Sequence, residues 1–215
     1  MAQLRAIVLM STAAALVACQ AAAERRASAP AASVRVEPVE DWRQIALPEH
    51  SGITEDLPPL FERLAAGARR GAADRDLLDA ALLLPAATPA PGAYRCRLVR
   101  LPAPAPATGR RERAGGRPSF CFVGADADRL SLTLETPARR LGGYLWPSAE
   151  PRRLVFLGAG FAAPARSAPA YSAVPGVNTA GLLERIGDFR YRLVTRGPSP
   201  GTVDVWEMSA APPDR

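Results

Sequence analysis

Residues 130–135 read LSLTLE, with Leu130, Leu132 and Leu134 alternating against Ser131, Thr133 and Glu135. Side chains of a strand point alternately to opposite faces, so this stretch predicts a strand with one apolar and one wet face. The same period of two recurs on either side. Tyr94, Cys96 and Leu98 alternate with Arg95, Arg97 and Val99. Ser119 to Val123 (SFCFV) and Leu154 to Leu157 (LVFL) are short apolar runs. Phe189, Tyr191 and Leu193 alternate with Arg190 and Arg192, and Thr202 to Met208 (TVDVWEM) ends the series. Turn-forming stretches separate them: GADAD at 124–128, PSAEP at 147–151, GD at 187–188 and GPSPG at 197–201. Short strands at close spacing predict a mainly β (α+β) domain over 91–210. Its sheet is an antiparallel meander or a small up-and-down barrel of about 7–8 strands.

Upstream, residues 41–90 have a helical period. Leu60, Phe61, Leu64, Ala65 and Ala68 share one face after Pro58-Pro59, and Gly71 follows as a stop. A second run from Asp74 carries Leu77, Leu78, Ala81 and Leu82 up to Pro85. Together they predict an N-terminal helical hairpin laid on the β domain.

The first 40 residues have a different character. One basic residue, Arg5, precedes the apolar run Ala6 to Ala18, and Cys19 follows. A membrane span needs about 20 apolar residues, so residues 1–18 read as a secretory signal peptide. Leu16-Val17-Ala18-Cys19 resembles the lipobox of bacterial lipoproteins, in which the Cys thiol receives diacylglycerol and the chain is cut before it. Gln20, in place of Asp, implies sorting to the outer membrane. The expected location is the periplasmic face of that membrane. The alternative is a soluble periplasmic protein, cut at Ala21-Ala22-Ala23 without Cys19. Residues 19–40, rich in Ala, Ser and Pro, read as a flexible tether of about 25 Å reach.

Export decides how the rest is read. Cys96 and Cys121 form an even pair in an oxidising compartment and read as a disulfide. All 27 basic residues are Arg, and the net charge is +6. That bias follows from Arg-rich composition throughout, so it does not argue for a nucleic-acid partner. Arg95, Arg97, Arg100, Arg110, Arg111, Arg113 and Arg117 form the densest cluster. Forked guanidiniums suit phosphates and carboxylates, which makes these residues candidates for anion binding.

The catalytic patterns fail on context. Gly158-Ala159-Gly160 with Ala163 matches a dinucleotide fingerprint, but Pro164 opposes the helix it needs. Gly197-Pro198-Ser199-Pro200-Gly201 matches a nucleophile elbow, but prolines flank the Ser and a strand follows. His50 is the single His, and Asp126 with Asp128 lack the further oxygen ligands of a calcium site. Glu135 and Glu207 read as solvated strand positions. No catalytic residue, metal or cofactor is expected.

The blocks PGAYRCRLVRL (91–101), FCFV (120–123), LVFLGA (154–159), ERIGDFRYRL (184–193) and VDVWEM (203–208), with Asp41-Trp42-Arg43 ahead of them, carry a family likeness. Over residues 41–210 the chain resembles the domain of unknown function 4893 (DUF4893) family of exported Gram-negative proteins. It departs from the family pattern at TPARRLGG (136–143) and at SAVPGVNTA after Tyr171. The resemblance implies export and the Cys96–Cys121 pair, and supplies no activity. The leading expectation is a non-enzymatic envelope lipoprotein that binds a protein partner or an anionic envelope surface such as lipid. The alternative is a lipocalin-like carrier or inhibitor with a small ligand in its barrel, and the third class is a hydrolase of envelope polymers.

Overall fold

The structure, a computed structural model, describes residues 41–68, 71, 74–102, 119–126, 128–137, 139–162 and 164–211. Eight strands form the domain: β1 (Gly92–Leu101), β2 (Ser119–Asp126), β3 (Arg129–Glu135), β4 (Arg140–Pro147), β5 (Arg153–Gly160), β6 (Asn178–Gly187), β7 (Arg190–Arg196) and β8 (Val203–Ala210). Each pairs antiparallel with the next, and β8 returns to β1, so the sheet closes as a barrel. Closure removes the free edges that an open meander would leave unpaired.

The LSLTLE stretch is β3, with Leu132 and Leu134 buried. Inward positions around the barrel are Tyr94, Cys96, Cys121, Val123, Leu132, Leu134, Leu141, Leu145, Phe156, Leu183, Tyr191, Leu193, Trp206 and Met208, which form one apolar cluster. Cys96 and Cys121 are joined by a disulfide, with Cα atoms 5.9 Å apart. They are diagonal rather than directly opposed, because Cys96 faces Ser119 and Cys121 faces Tyr94.

Two strands have no counterpart in the sequence pattern. In β4 the run is broken by Gly142-Gly143, and Gly143 faces Gly158 across the β4–β5 ladder. A Cβ on Gly143 would overlap the Leu157 carbonyl oxygen and the Gly158 Cα, so the two backbones approach too closely for a side chain. Over Gly158 lies the Phe156 ring. In β6 the residues Thr179 to Glu184 are buried on both faces, so no alternation survives.

The N-terminal region is half as expected. Helix α1 (Trp42–Ile45) is capped by the Asp41 side chain, and a 3-10 turn follows at Pro48–His50. Helix α2 (Ile53–Gly67) starts five residues before Pro58, not at it, and buries Ile53, Leu57, Phe61 and Ala65 at i, i+4 spacing. It lies over β6, β7 and β8. Each large side chain of that stripe contributes roughly 1.5–3 kcal/mol by leaving water.

The second helix of the expected hairpin does not form. Residues 74–82 make a succession of tight turns instead. The Asp79 side chain accepts from the Ala81 N–H, and the carbonyls of Leu77, Asp79 and Leu82 accept from the Arg192 guanidinium. A helix would have given those carbonyls to its own N–H groups, so the tertiary partner overrides the local pattern.

Candidate functional site

The outer surface of the barrel has two unlike halves. Over β5 to β8 and β1 lie α2 and the 74–84 segment, with an apolar layer including Leu57, Phe61, Leu77, Val155, Leu182, Val194 and Val205. Within that layer Arg192 is fully buried. Its Nε donates to Glu184 Oε2 at 2.5 Å, its terminal nitrogens reach three carbonyls of the covering segment, and it lies over the Phe61 ring. Arg153 Nε holds the other Glu184 oxygen at 2.8 Å. A second network joins Arg97 to Glu207 and to Asp74, and Arg190 to Glu207 (2.7 Å) and Asp76 (2.8 Å). Both networks fasten the covering segment to the barrel wall, and every charge in them has an opposite partner.

The other half, β2 and β3, presents its outer face uncovered, and β4 shares it only in part, because Gly142 lies under Ala168 and Trp146 is buried in the covered layer. Because Cys121 and Val123 turn inward, Phe120 and Phe122 must turn outward, where they are 47% and 51% exposed. Phe122 lies in register with Ala93 on one side and Thr133 on the other, and Gly142 follows beyond Thr133. These small neighbours leave its ring standing above the sheet. A shallow groove of about 490 Å³ runs beside it, lined by Ser119, Phe120, Phe122, Glu135, Thr136, Pro137 and Arg140. Arg140 Nη2 pairs with Glu135 at 2.9 Å, and Tyr144, also exposed, donates to Asp126 at 2.7 Å. Arg95 lies opposite Phe120 in the β1–β2 ladder, is exposed, and has no ion-pair partner among the described residues. Two neighbouring exposed aromatics bordered by guanidiniums form the composition that interfaces favour over ordinary surface.

The expected Arg cluster is therefore divided. Arg95 borders the uncovered face. Arg97 is committed to Glu207 and Asp74 on the covered side. Arg100 turns to the barrel interior, where its Nε and Nη2 clasp Asp204 at 2.6 and 3.0 Å. Arg110, Arg111, Arg113 and Arg117, like Cys19, the signal peptide and the tether, lie outside the described residues. Sequence reasoning passed over Phe120, Phe122, Arg139 and Arg140. The inward disulfide was the available signal, since it fixes the parity of β2 and so sends both Phe side chains outward.

Polar groups close both ends of the barrel. At one end Tyr94 and Tyr191 meet edge to face at 6.0 Å, and Tyr94 donates to the Ala90 carbonyl at 2.7 Å. Burial raises both phenol pKa values, in Tyr94 with the nearby Tyr191 adding to it. At the other end the Asp204 carboxylate, fully buried, accepts from Arg100 and, at 2.8 Å, from Arg139. Between the ends Cys121, Leu132, Leu134, Leu141, Phe156, Leu183, Leu193, Trp206 and Met208 have no accessible surface. A void large enough for water would expose the side chains bordering it, so none borders these.

The patterns set aside in the sequence take ordinary places. Gly158 and Gly160 belong to β5. GPSPG makes the β7–β8 turn, where the Gly197 N–H donates to the Thr202 carbonyl at 2.9 Å. Glu135 and Glu207 are engaged by Arg side chains, and no group of three or more metal-ligating side chains occurs among the described residues. His50 is buried with Nδ1 2.7 Å from the Tyr171 hydroxyl, which also accepts from the Leu47 N–H at 3.0 Å. Burial lowers the His50 pKa below 6.5, with Arg196 adding to that and Glu49 opposing it.

These features define a closed eight-stranded antiparallel barrel with an N-terminal helical cover and one bare aromatic face. The family model described as Domain of unknown function (DUF4893) matches residues 42–208, and the chain belongs to that family. No curated protein and no solved structure matches it.

Proposed function

We propose that this chain is an envelope lipoprotein that works without catalysis, as a binding module, through the bare face of β2 and β3. The observation that carries the proposal is the contrast between the two halves of the barrel. One half satisfies every buried charge beneath a cover, while the other leaves Phe120 and Phe122 half in water beside a groove. Burying two such rings against a partner gains roughly 1.5–3 kcal/mol each at full burial. Arg95 and Arg140 at the border favour a partner with acidic groups, whether a protein or the anionic envelope surface. The leader and Cys19 support attachment at the periplasmic face of the outer membrane, with the tether giving the face room to meet its partner.

The carrier alternative draws on the same fold, since eight strands enclose space for side chains or for one small ligand. The interior side chains without accessible surface, and the ends closed by Tyr94–Tyr191 and Arg100–Asp204–Arg139, favour the outer face instead.

Site-specific photo-crosslinking in living cells tests the proposal. A crosslinker at position 122 should give a discrete adduct, and mass analysis of that adduct separates protein from lipid. A crosslinker at position 189 is the control, because Phe189 is 60% exposed but lies in the β6–β7 turn. No adduct at 122, or the same products from both positions, overturns it.

A further inference from the structure

At the end of the barrel where β1 finishes and β8 begins, Arg100 and Asp204 face each other in the ladder and both turn inward. Arg139, just before β4, reaches the same carboxylate. One buried negative charge therefore serves two guanidiniums, and this layer carries a net positive charge. The carboxylate is fully buried, whereas the Arg100 and Arg139 side chains keep 34% and 22% of their surface open. Arg100 spends only Nε and Nη2 on Asp204, and Arg139 only Nη1. The other N–H groups of both side chains find no partner among the described residues. Beneath them the Thr195 hydroxyl, in register with Asp204, is buried and also unpartnered.

We propose that Arg100 and Arg139, held by Asp204, form a receptor for a phosphate group. Asp204 fixes the orientation of both forks in advance, so little side-chain entropy remains to be lost on binding. Both guanidiniums converge on Oδ2 of Asp204, so the two forks are near neighbours with N–H groups to spare. A tetrahedral anion offers oxygens in several directions and can meet two such forks at once. The excess positive charge favours an anion, and charge-assisted bonds from forked donors are the strong kind. The phosphate can be a free ion or part of a lipid headgroup. The receptor lies at the barrel end and the docking face on the outer wall; Arg139 adjoins Pro137 and Arg140 of the groove, so the two are told apart by readout, phosphate binding for one and crosslinking at position 122 for the other.

The test uses residues 19–215 with Cys19→Ser, so that no acyl chain carries the protein into vesicles. Calorimetry with inorganic phosphate addresses the free ion. Co-sedimentation with phosphatidylcholine vesicles, with and without phosphatidic acid, addresses the headgroup. Arg139→Gln removes one fork and leaves Asp204 clasped by Arg100, so the fold survives, and a thermal melt verifies this. It should weaken phosphate affinity about tenfold, with Arg139→Lys falling in between. Arg63→Gln, which removes an exposed charge on α2, should change nothing. Saturable phosphate binding lost in Arg139→Gln establishes a free-ion site, and the same loss seen only with phosphatidic acid vesicles establishes a headgroup site. No saturable binding of either probe, or equal losses in Arg139→Gln and Arg63→Gln, overturns the proposal.

Discussion

Replacing Arg192 by Met should be among the most damaging single changes in the molecule. The guanidinium is fully buried, and Glu184 beside it is only 3% exposed. Removing one partner of a buried ion pair costs about 3–5 kcal/mol, because the other charge is left short of compensation. Arg153 retains one Glu184 oxygen, which limits the loss. Against that, the Leu77 and Leu82 carbonyls lose their donor while that of Asp79 keeps the Leu82 N–H, and the carbonyl of fully buried Leu77 is the hardest for water to reach. An orphaned buried acceptor costs about 1–3 kcal/mol. The sum is about 4–6 kcal/mol, against a total stability of about 5–15 kcal/mol for a typical domain. For a chain of this size that lowers the melting temperature by roughly 10–20 °C. Urea denaturation measures the energy, and amide hydrogen exchange localises it. Residues 74–84 should lose protection first, since Arg192 ties that segment down. The double variant Arg192→Met/Glu184→Gln leaves no uncompensated carboxylate, so it should be less damaged than the two single losses added together, by about 2 kcal/mol. A single-variant cost under about 1 kcal/mol, or strict additivity in the double, refutes the claim that this pair anchors the cover.

Three further outcomes follow from the geometry. Because burial holds the folded His50 pKa below 6.5, the unfolded chain takes up that proton first as pH falls. This contribution is fully present above pH 6.5 and declines below it; melting curves from about pH 7.5 to 5 should show the decline, and His50→Gln should remove that part of it. Cys96→Ala/Cys121→Ala opens a link between residues 25 apart and should cost about 3 kcal/mol in chain entropy, read by denaturation. Gly143→Ala forces a Cβ into the β5 backbone and should cost about 2 kcal/mol or more, whereas Gly176→Ala, in open space but at φ 77°, should cost about 1 kcal/mol.

Much of the barrel was legible because β1, β2 and β3 bury one face only. β1 and β3 show the alternation that a one-sided strand requires; β7 and β8 are buried on both faces, but Arg190, Arg192 and Glu207 on the covered side keep a period of two visible, and the barrel with about eight strands follows. β6 was hidden because Leu182 lies beneath the cover while Leu183 fills the interior, so both faces are apolar. β4 was hidden because Gly142 and Gly143 carry no side chain to report a face. The turns at 74–82 escaped notice for another reason. Their carbonyls are claimed by Arg192, about 110 residues onward, and no local window contains that partner. The candidate sites divide in the same way. Alternation predicts that Arg95 and Arg97 share a face, but the carboxylates that engage Arg97 lie at 74 and 207. The pairing of Arg100 with Arg139 depends on closure of the barrel, which brings β1, β8 and the start of β4 around Asp204.

Whether binding happens outside a filled barrel is tested most directly by native mass spectrometry of the protein isolated gently from its native cells. Side chains that fill the interior predict a polypeptide mass, with any covalent lipid, that is unchanged by unfolding. An excess of a few hundred daltons in the folded protein, released when it unfolds, contradicts this and returns the function to the barrel interior.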